Sequence, residues 1–335
     1  MSTLREVADR AGVSIATASR VASGAAAVRP ETRERVQRAM AELLYIAPRH
    51  STLTGAVGLL VPELENPIFP ALAQAMETKA KAWGYASILC NTRGTPEGET
   101  EYMHMLLDRQ VAGMIFISCE GADLQADHGH YARLLREGAR MVFVNGTPHT
   151  VDAPAVGIDE RGAGHLATEH LLELGHRRIG FVAGPERFLP TQQKAEGRAT
   201  ALKRAGLSPQ PGLIAHDEFS VEGGRRALRA LLAGSEQPTG IICSSDVMAI
   251  GALQEAYANG LRVPEDLSIV GFDGISAVTW TQPPLTTIEQ PIEAMAEMAL
   301  NALWSLVEEP DEHVPSFLFR PQLREGRSTA TPRRD

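Results

Sequence analysis

Two groups of residues in this chain have types and spacings that can do chemistry. In the first, Ile15, Ala16, Thr17, Ser19 and Arg20 form an outward row on a short segment whose other side is Ala18, Val21 and Ala22. An arginine among small hydroxyls suits hydrogen bonding to phosphate oxygens and base edges. In the second, Asn66, Phe69, Asn91, Asp159, Phe219, Ser245, Asp246 and Asp273 stand at the ends of apolar runs, where open α/β sheets bind ligands. Taken singly, Phe69 and Phe219 read more often as core than as ligand platforms, and Asp273 reads also as a helix cap. No HExxH, GxSxG or P-loop occurs, and His104, His128, His165 and His176 lack metal-ligand spacing. No catalytic residue, metal or cofactor is expected, and the chain reads as a non-enzyme.

The elements that hold the first group are three short helices. Thr3 and Glu6 form a capping box that starts the first, whose inner face is Leu4, Val7, Ala8 and Ala11 and whose end is Gly12. Ser14 caps the second, and small Ala18 and Ala22 permit a close crossing. The third runs from Pro30 to Leu44, with Val36, Ala39, Met40 and Leu43 inward. This is a helix-turn-helix layout. An outward row could be a solvated helix face, but charge argues otherwise. Residues 1–54 carry 8 arginines against 5 acidic side chains, net +3, whereas the rest carries 24 basic and 36 acidic residues, net −12. Phosphates would attract the head and be repelled by the body.

VADRAGVSIATASRV followed by PETRERV resembles the head of the lactose/galactose repressor family. The resemblance implies that Arg20 reads guanine O6 and N7 in the major groove, and that Ile15 and Ala16 occupy operator-selecting positions, where apolar side chains suit thymine methyls. It makes Thr17, Ser19 and Thr32 phosphate contacts, with Thr3, Ser14 and Ser23 completing the DNA-facing set. The family's hinge helix inserts a leucine into the minor groove, and here Leu53 is the candidate. The hinge, residues 48–55, is shorter than the family pattern, with room for about one and a half helical turns.

With 335 residues, 44% of them hydrophobic and 22% charged, the chain is long enough for several domains and ordinary for a soluble protein. It shows no signal-peptide core or membrane-length apolar stretch, so cytoplasm is expected. Cys90, Cys119 and Cys243 read as buried free thiols. After the hinge, apolar runs alternate with amphipathic helices in two series, which predicts an α/β body of two doubly wound parallel-sheet subdomains. The boundaries read as a head over 1–47, a hinge over 48–55 and a body over 56–327. Its first subdomain takes 56–170 and 290–312, its second 171–289 and 313–327, with a final strand near Ser316 to Leu323 and a frayed tail over 328–335. VPELENPIF, HLLELGHRRIGFVAGP, SSDVMAIGAL, GLRVPEDLSIVGFDG and PPLTTIEQP extend the resemblance, which implies a periplasmic-binding-protein-like body. It also implies that Phe69 and Phe219 stack on an effector, that Asp273 accepts hydrogen bonds, and that Asn66 and Gln290 add polar contacts. Lys194 stands where the family has an arginine, and Ser245 where it often has asparagine. An ammonium there points to an acidic sugar or phosphate ester among the candidate effectors.

Two other readings compete. Gly162 to Ala167 fits the dinucleotide pattern G-x-G-x-x-A, with Glu186 ending the next strand, but Asp159 and Glu160 would repel a pyrophosphate. A solute-binding protein would share the body but not the basic head. The expectation is a transcription regulator, a repressor, whose homodimer or tetramer binds a pseudo-palindromic operator and switches with a sugar or related metabolite. No membrane partner is expected.

Overall fold

The computed structural model describes residues 3–22, 28–43, 55–148, 151–309 and 313–333, in two compact units, Met1–Thr54 and Gly55–Asp335. Ser23, Leu53 and the hinge up to residue 54 lie outside the described residues.

In the head, α1 (Leu4–Ala11) begins where Thr3 Oγ1 accepts the Glu6 N–H at 3.3 Å and Glu6 Oε2 accepts the Thr3 N–H at 2.7 Å. It ends at Gly12, whose φ of 63° suits a residue without Cβ. Ser14 Oγ accepts the Thr17 N–H at 3.2 Å and starts α2 (Ile15–Ala22). Proline in the first turn of α3 (Pro30–Glu42) gives up only an amide that a helix start leaves unpaired. Val7, Ala8, Ala11, Ala18, Val21, Val36 and Ala39 are buried together, with Leu4, Met40 and Leu43 packed around them.

The body opens with β1 (Gly55–Val61), α4 (Ile68–Ala82), β2 (Tyr85–Asn91), α5 (Pro96–Asp108), β3 (Met114–Ile117), α6 (Gly129–Arg136), β4 (Met141–Val144) and β5 (Ala155–Ile158). It continues with α7 (Glu160–Glu173), β6 (Ile179–Ala183), α8 (Leu189–Arg204), β7 (Ile214–His216), α9 (Val221–Leu232), β8 (Gly240–Cys243), α10 (Asp246–Ala258) and β9 (Ser268–Asp273). Last come β10 (Thr286–Glu289), α11 (Ile292–Glu308), β11 (Phe317–Phe319) and β12 (Gln322–Arg324). Two six-stranded sheets result, in the orders β11-β5-β4-β3-β1-β2 and β12-β10-β9-β8-β6-β7, parallel throughout except for β12 on β10. Both reverse winding direction beside their first strand, and a cleft opens beyond strand ends at such a point. The three cysteines are buried and free.

The structure departs from the sequence reading in three places. First, the chain leaves the first sheet at Asp159 and not near residue 170, because α7 packs along α8 and against β8 and β10 of the second sheet. Second, the single strand expected near Ser316 to Leu323 is two. Pro321 has no N–H for a ladder, so the run breaks: Phe317–Phe319 pairs with β5 in the first sheet and Gln322–Arg324 with β10 in the second. Third, the tail is not frayed over residues 328–333. Ser328 is fully buried, its carbonyl accepts the Ile269 N–H at 2.8 Å, and its hydroxyl accepts the Thr286 N–H at 2.8 Å. His176 Nε2 lies 2.9 Å from the Ala330 carbonyl. The polar composition that suggests fraying instead supplies donors and acceptors to the sheet.

The glycines of the G-x-G-x-x-A motif serve packing. A Cβ on Gly164 would lie 2.2 Å from the Lys194 carbonyl oxygen, and one on Gly197 2.0 Å from that of Arg161, so α7 and α8 cross at backbone contact. Asp159 Oδ1 already caps the Gly162 N–H at 2.9 Å, in the place a phosphate would take.

Candidate functional site

A cavity of about 350 Å³ lies among the carboxyl ends of both sheets. Asn66, Phe69, Ser118 and Asn145 line it from the first half, and Phe188, Lys194, Phe219, Ser245 and Asp273 from the second, with Gln290 at the crossing between them. Of the ten residues that strand ends and the resemblance place there, seven line it. Asn91, Asp159 and Asp246 do not: Asn91 Oδ1 accepts the Arg93 N–H at 3.0 Å, Asp159 caps α7, and Asp246 Oδ2 accepts the Gly274 and Ile275 amides. The first two turn the chain at their strand ends.

A chain of amides and one carboxyl ties the halves together. Asn145 Nδ2 donates to Gln290 Oε1 at 2.8 Å, and Gln290 Nε2 donates to Asp273 Oδ1 at 2.8 Å. Asn145 Oδ1 and Asp273 Oδ2 are buried without a hydrogen-bond partner. Two acceptors thus remain to take hydrogens from a bound molecule. The backbone aims them there: Ser118, Asn145 and Asp273 have φ of 50°, 56° and 122°, the first two just past a strand and the third at the last residue of β9. Such conformations cost on the order of 1–3 kcal/mol in a residue other than glycine, and they cluster at functional sites.

Aromatic surfaces face the acceptors. Phe219 lies so close over Gly184 that a Cβ there would come within 2.2 Å of its ring. Its centroid is 5.9 Å from that of Phe188, whose own face is covered by the Arg187 guanidinium at 4.7 Å. Across the mouth, Arg187 Nε donates to Asp123 Oδ2 at 2.9 Å and the Arg187 carbonyl accepts the Leu124 N–H at 2.9 Å. The loop after β3 and the loop after β6 are clasped by these bonds.

The electrostatics correct one expectation. Lys194 Nζ lies 2.5 Å from Glu160 Oε2, both side chains are buried, and the ammonium sits 3.7 Å from the Phe272 ring centroid. Its charge is therefore matched within the wall, and the argument from Lys194 to an anionic effector fails. The cavity's ionisable lining is Glu63, Glu160, Glu218 and Asp273 with Arg93, Arg187 and Lys194. Burial, then the neighbouring Asp246, pushes the Asp273 carboxyl well above its ordinary range, while Lys194 opposes the shift. Asp246 is pushed up to about 7 by burial although Thr287 Oγ1 donates to it at 2.6 Å and the Gly274 and Ile275 amides at 2.7 and 2.9 Å. Ser245 Oγ accepts the Met248 N–H at 3.3 Å and so caps α10.

Asn145, Ser118, Phe188, Arg187 and Glu160 were not singled out from sequence. Asn145 ends the run RMVFVN, so the strand-end rule that found Asp273 would have found it. Glu160 carries no signal, since its partner is 34 residues away.

In the head, α2 presents Ile15 at 45% exposure together with exposed Ala16, Ser19 and Arg20, while Thr17 and Thr32 are half-buried. Arg20 Nε donates to the Ala16 carbonyl at 3.3 Å, which lays the side chain along the outer face of the helix. Thr3 and Ser14 are exposed caps at the first turns of α1 and α2.

Comparisons with known proteins agree with both units. Residues 3–47 match the family described as bacterial regulatory proteins, lacI family, and residues 168–329 match a periplasmic binding protein-like domain. The HTH-type transcriptional regulator MalR of Streptomyces coelicolor is 41% identical over 336 residues, 98% of this chain and 96% of its own. A solved complex of the transcriptional regulator CelR with cellobiose is 29% identical at a TM-score of 0.75, over 98% of this chain and 100% of its own. The lac repressor dimer bound to operator and an anti-inducer is 27% identical at a TM-score of 0.74, over 98% of this chain and 99% of its own. Both units thus have their counterparts in known regulators, and the chain belongs to the lacI family of DNA-binding transcription regulators.

Proposed function

We propose that the protein is a repressor released or engaged by a neutral sugar held in the cleft. The observation that carries this reading is the pair of unpartnered acceptors, Asn145 Oδ1 and Asp273 Oδ2, opposite aromatic Phe69 and Phe219. Sugar hydroxyls donate to such acceptors while the C–H faces of the ring pack on aromatic carbon. The Lys194–Glu160 pair removes the reason to prefer a sugar acid or phosphate. A cavity of about 350 Å³ suits a ligand of one or two sugar rings. The related CelR structure holds cellobiose, which fits this class. A thermal-shift panel of neutral sugars, sugar acids and sugar phosphates tests it. A neutral sugar should raise the melting temperature, as a ligand of the folded state does; a rise given only by the anionic members would contradict the reading.

On DNA, Arg20 reads a guanine, Ile15 and Ala16 select thymine methyls, and Thr3, Ser14, Thr17, Ser19 and Thr32 hold phosphates. One head makes too few base contacts for operator affinity, so a homodimer on a pseudo-palindrome, working in the cytoplasm, is the assembly that fits.

A further inference from the structure

We propose that Glu99, Glu120 and His130 form a binding site for one divalent transition-metal ion, apart from the effector cleft and beneath the loop that clasps its mouth. Glu99 comes from α5, Glu120 from a short 3-10 turn after β3, and His130 from the first turn of α6; their ligand atoms all lie within 4.8 Å of one another. Three separate elements supply the three ligands, so no spacing motif announces the site in the sequence.

The histidine tautomer is fixed. His130 Nδ1 lies 3.0 Å from the Asp127 carbonyl, which can only accept, so Nδ1 carries the proton and Nε2 presents a lone pair. This is the arrangement of a metal-ligating histidine whose other nitrogen is held by a carbonyl. Nε2 faces Glu120 Oε2 at 3.8 Å, too far for a hydrogen bond, and the Glu120 side chain is only 10% exposed. Neither atom has a hydrogen-bond partner, and both are buried. Two electron-rich atoms facing each other across such a gap repel, unless a cation sits between them. Two bonds of about 2.0–2.2 Å to one ion span such a separation.

Glu99 is oriented as a third ligand. The Tyr131 hydroxyl and the Glu120 N–H, at 3.0 Å, hold its two oxygens in place. Burial disfavours the charge on Glu99 and on Glu120, so a dication among them offsets a cost the fold otherwise carries. Two carboxylates and one imidazole suit zinc or manganese, with water completing the shell. Glu120 is three residues from Asp123, the residue clasped to Arg187. An ion on Glu120 therefore stiffens the clasp, which gives it a route to effector affinity.

Calorimetry on the full chain, stripped with EDTA and titrated with zinc chloride and with manganese chloride, tests the proposal. The expected result is one ion per chain for at least one of the metals, with a rise in melting temperature. Glu120→Gln and His130→Gln should each weaken binding at least tenfold, while His104→Gln, at an exposed histidine of α5, should leave it unchanged. Circular dichroism reports whether each variant folds, and if Glu120→Gln does not, His130→Gln alone decides. Wild type that binds neither metal overturns the site, as does equal binding by wild type and His130→Gln.

Discussion

The ammonium of Lys194 lies 2.5 Å from the carboxylate of Glu160, and the two side chains are buried together in the wall of the cleft. Removing one partner leaves the other charge uncompensated in a low-dielectric site. Lys194→Met should therefore cost about 3 kcal/mol in urea unfolding at pH 8, the low end for a broken buried pair. Burial raises the Glu160 carboxyl although Lys194 opposes the shift, so the cost should shrink as pH falls. Lys194→Met with Glu160→Gln should recover most of the loss; a double variant as weak as the single one would show that the pair is not the cause.

Asp273 and Asp246 set a pH dependence of the opposite sign to the usual carboxylate. Their folded-state values are raised, so their contribution is full below the unfolded value of about 3.9 and is lost as pH rises through the folded values, about 7 for Asp246. Between pH 5 and 8 the melting temperature should fall as pH rises. Asp273→Asn removes one of the two groups and should flatten that slope; an unchanged slope would place its origin elsewhere.

The same Asp273→Asn change replaces an unpartnered acceptor with a donor. Effector affinity should drop about 2–10-fold, as for loss of one ordinary hydrogen bond, while operator binding without effector is kept. Calorimetry with the sugar found by thermal shift reads this directly, and unchanged affinity would take Asp273 out of the site.

Arg20→Ala should lose about 1–3 kcal/mol of operator binding, the worth of one good bidentate guanine contact. Random DNA should lose much less. Equal losses on both would make Arg20 a phosphate contact.

The segment proposed as the hinge, residues 48–55, has a sequence length for about one and a half helical turns, and such a helix is marginal without a partner to pack on. Circular-permutation gel shifts should therefore show weak bending of the operator centre. A strong bend abolished by Leu53→Ala would mean that the hinge helix forms and wedges the duplex.

Local features were the legible part of the fold. The Thr3–Glu6 capping box and the apolar spacing of Val7, Ala8 and Ala11 act within one helix, and each stands in the structure as it reads in the sequence. Gly84, Gly138, Gly175, Gly206 and Gly260 stop their helices with positive φ for the same local reason. What depends on distant partners was not legible. Ser328 is buried because Ile269 and Thr286 lack partners without it, and Lys194 is neutralised by a residue on another helix. Gly164 and Gly197 look like a nucleotide motif until their mutual helix crossing is seen. In the cleft, strand-end placement found Asp273 and Phe219, but the link through Gln290 to Asn145 exists only once two sheets face each other.

The most direct measurement is fluorescence anisotropy of labelled operator and of random DNA, with and without the neutral sugar that stabilises the body, for wild type and Asp273→Asn. The sugar should change operator affinity of the wild type at least tenfold, leave random-DNA binding nearly unaltered, and change the variant less at the same subsaturating concentration. A sugar that binds the cleft yet leaves operator affinity the same, or shifts it equally in Asp273→Asn, would contradict a cleft that controls the head.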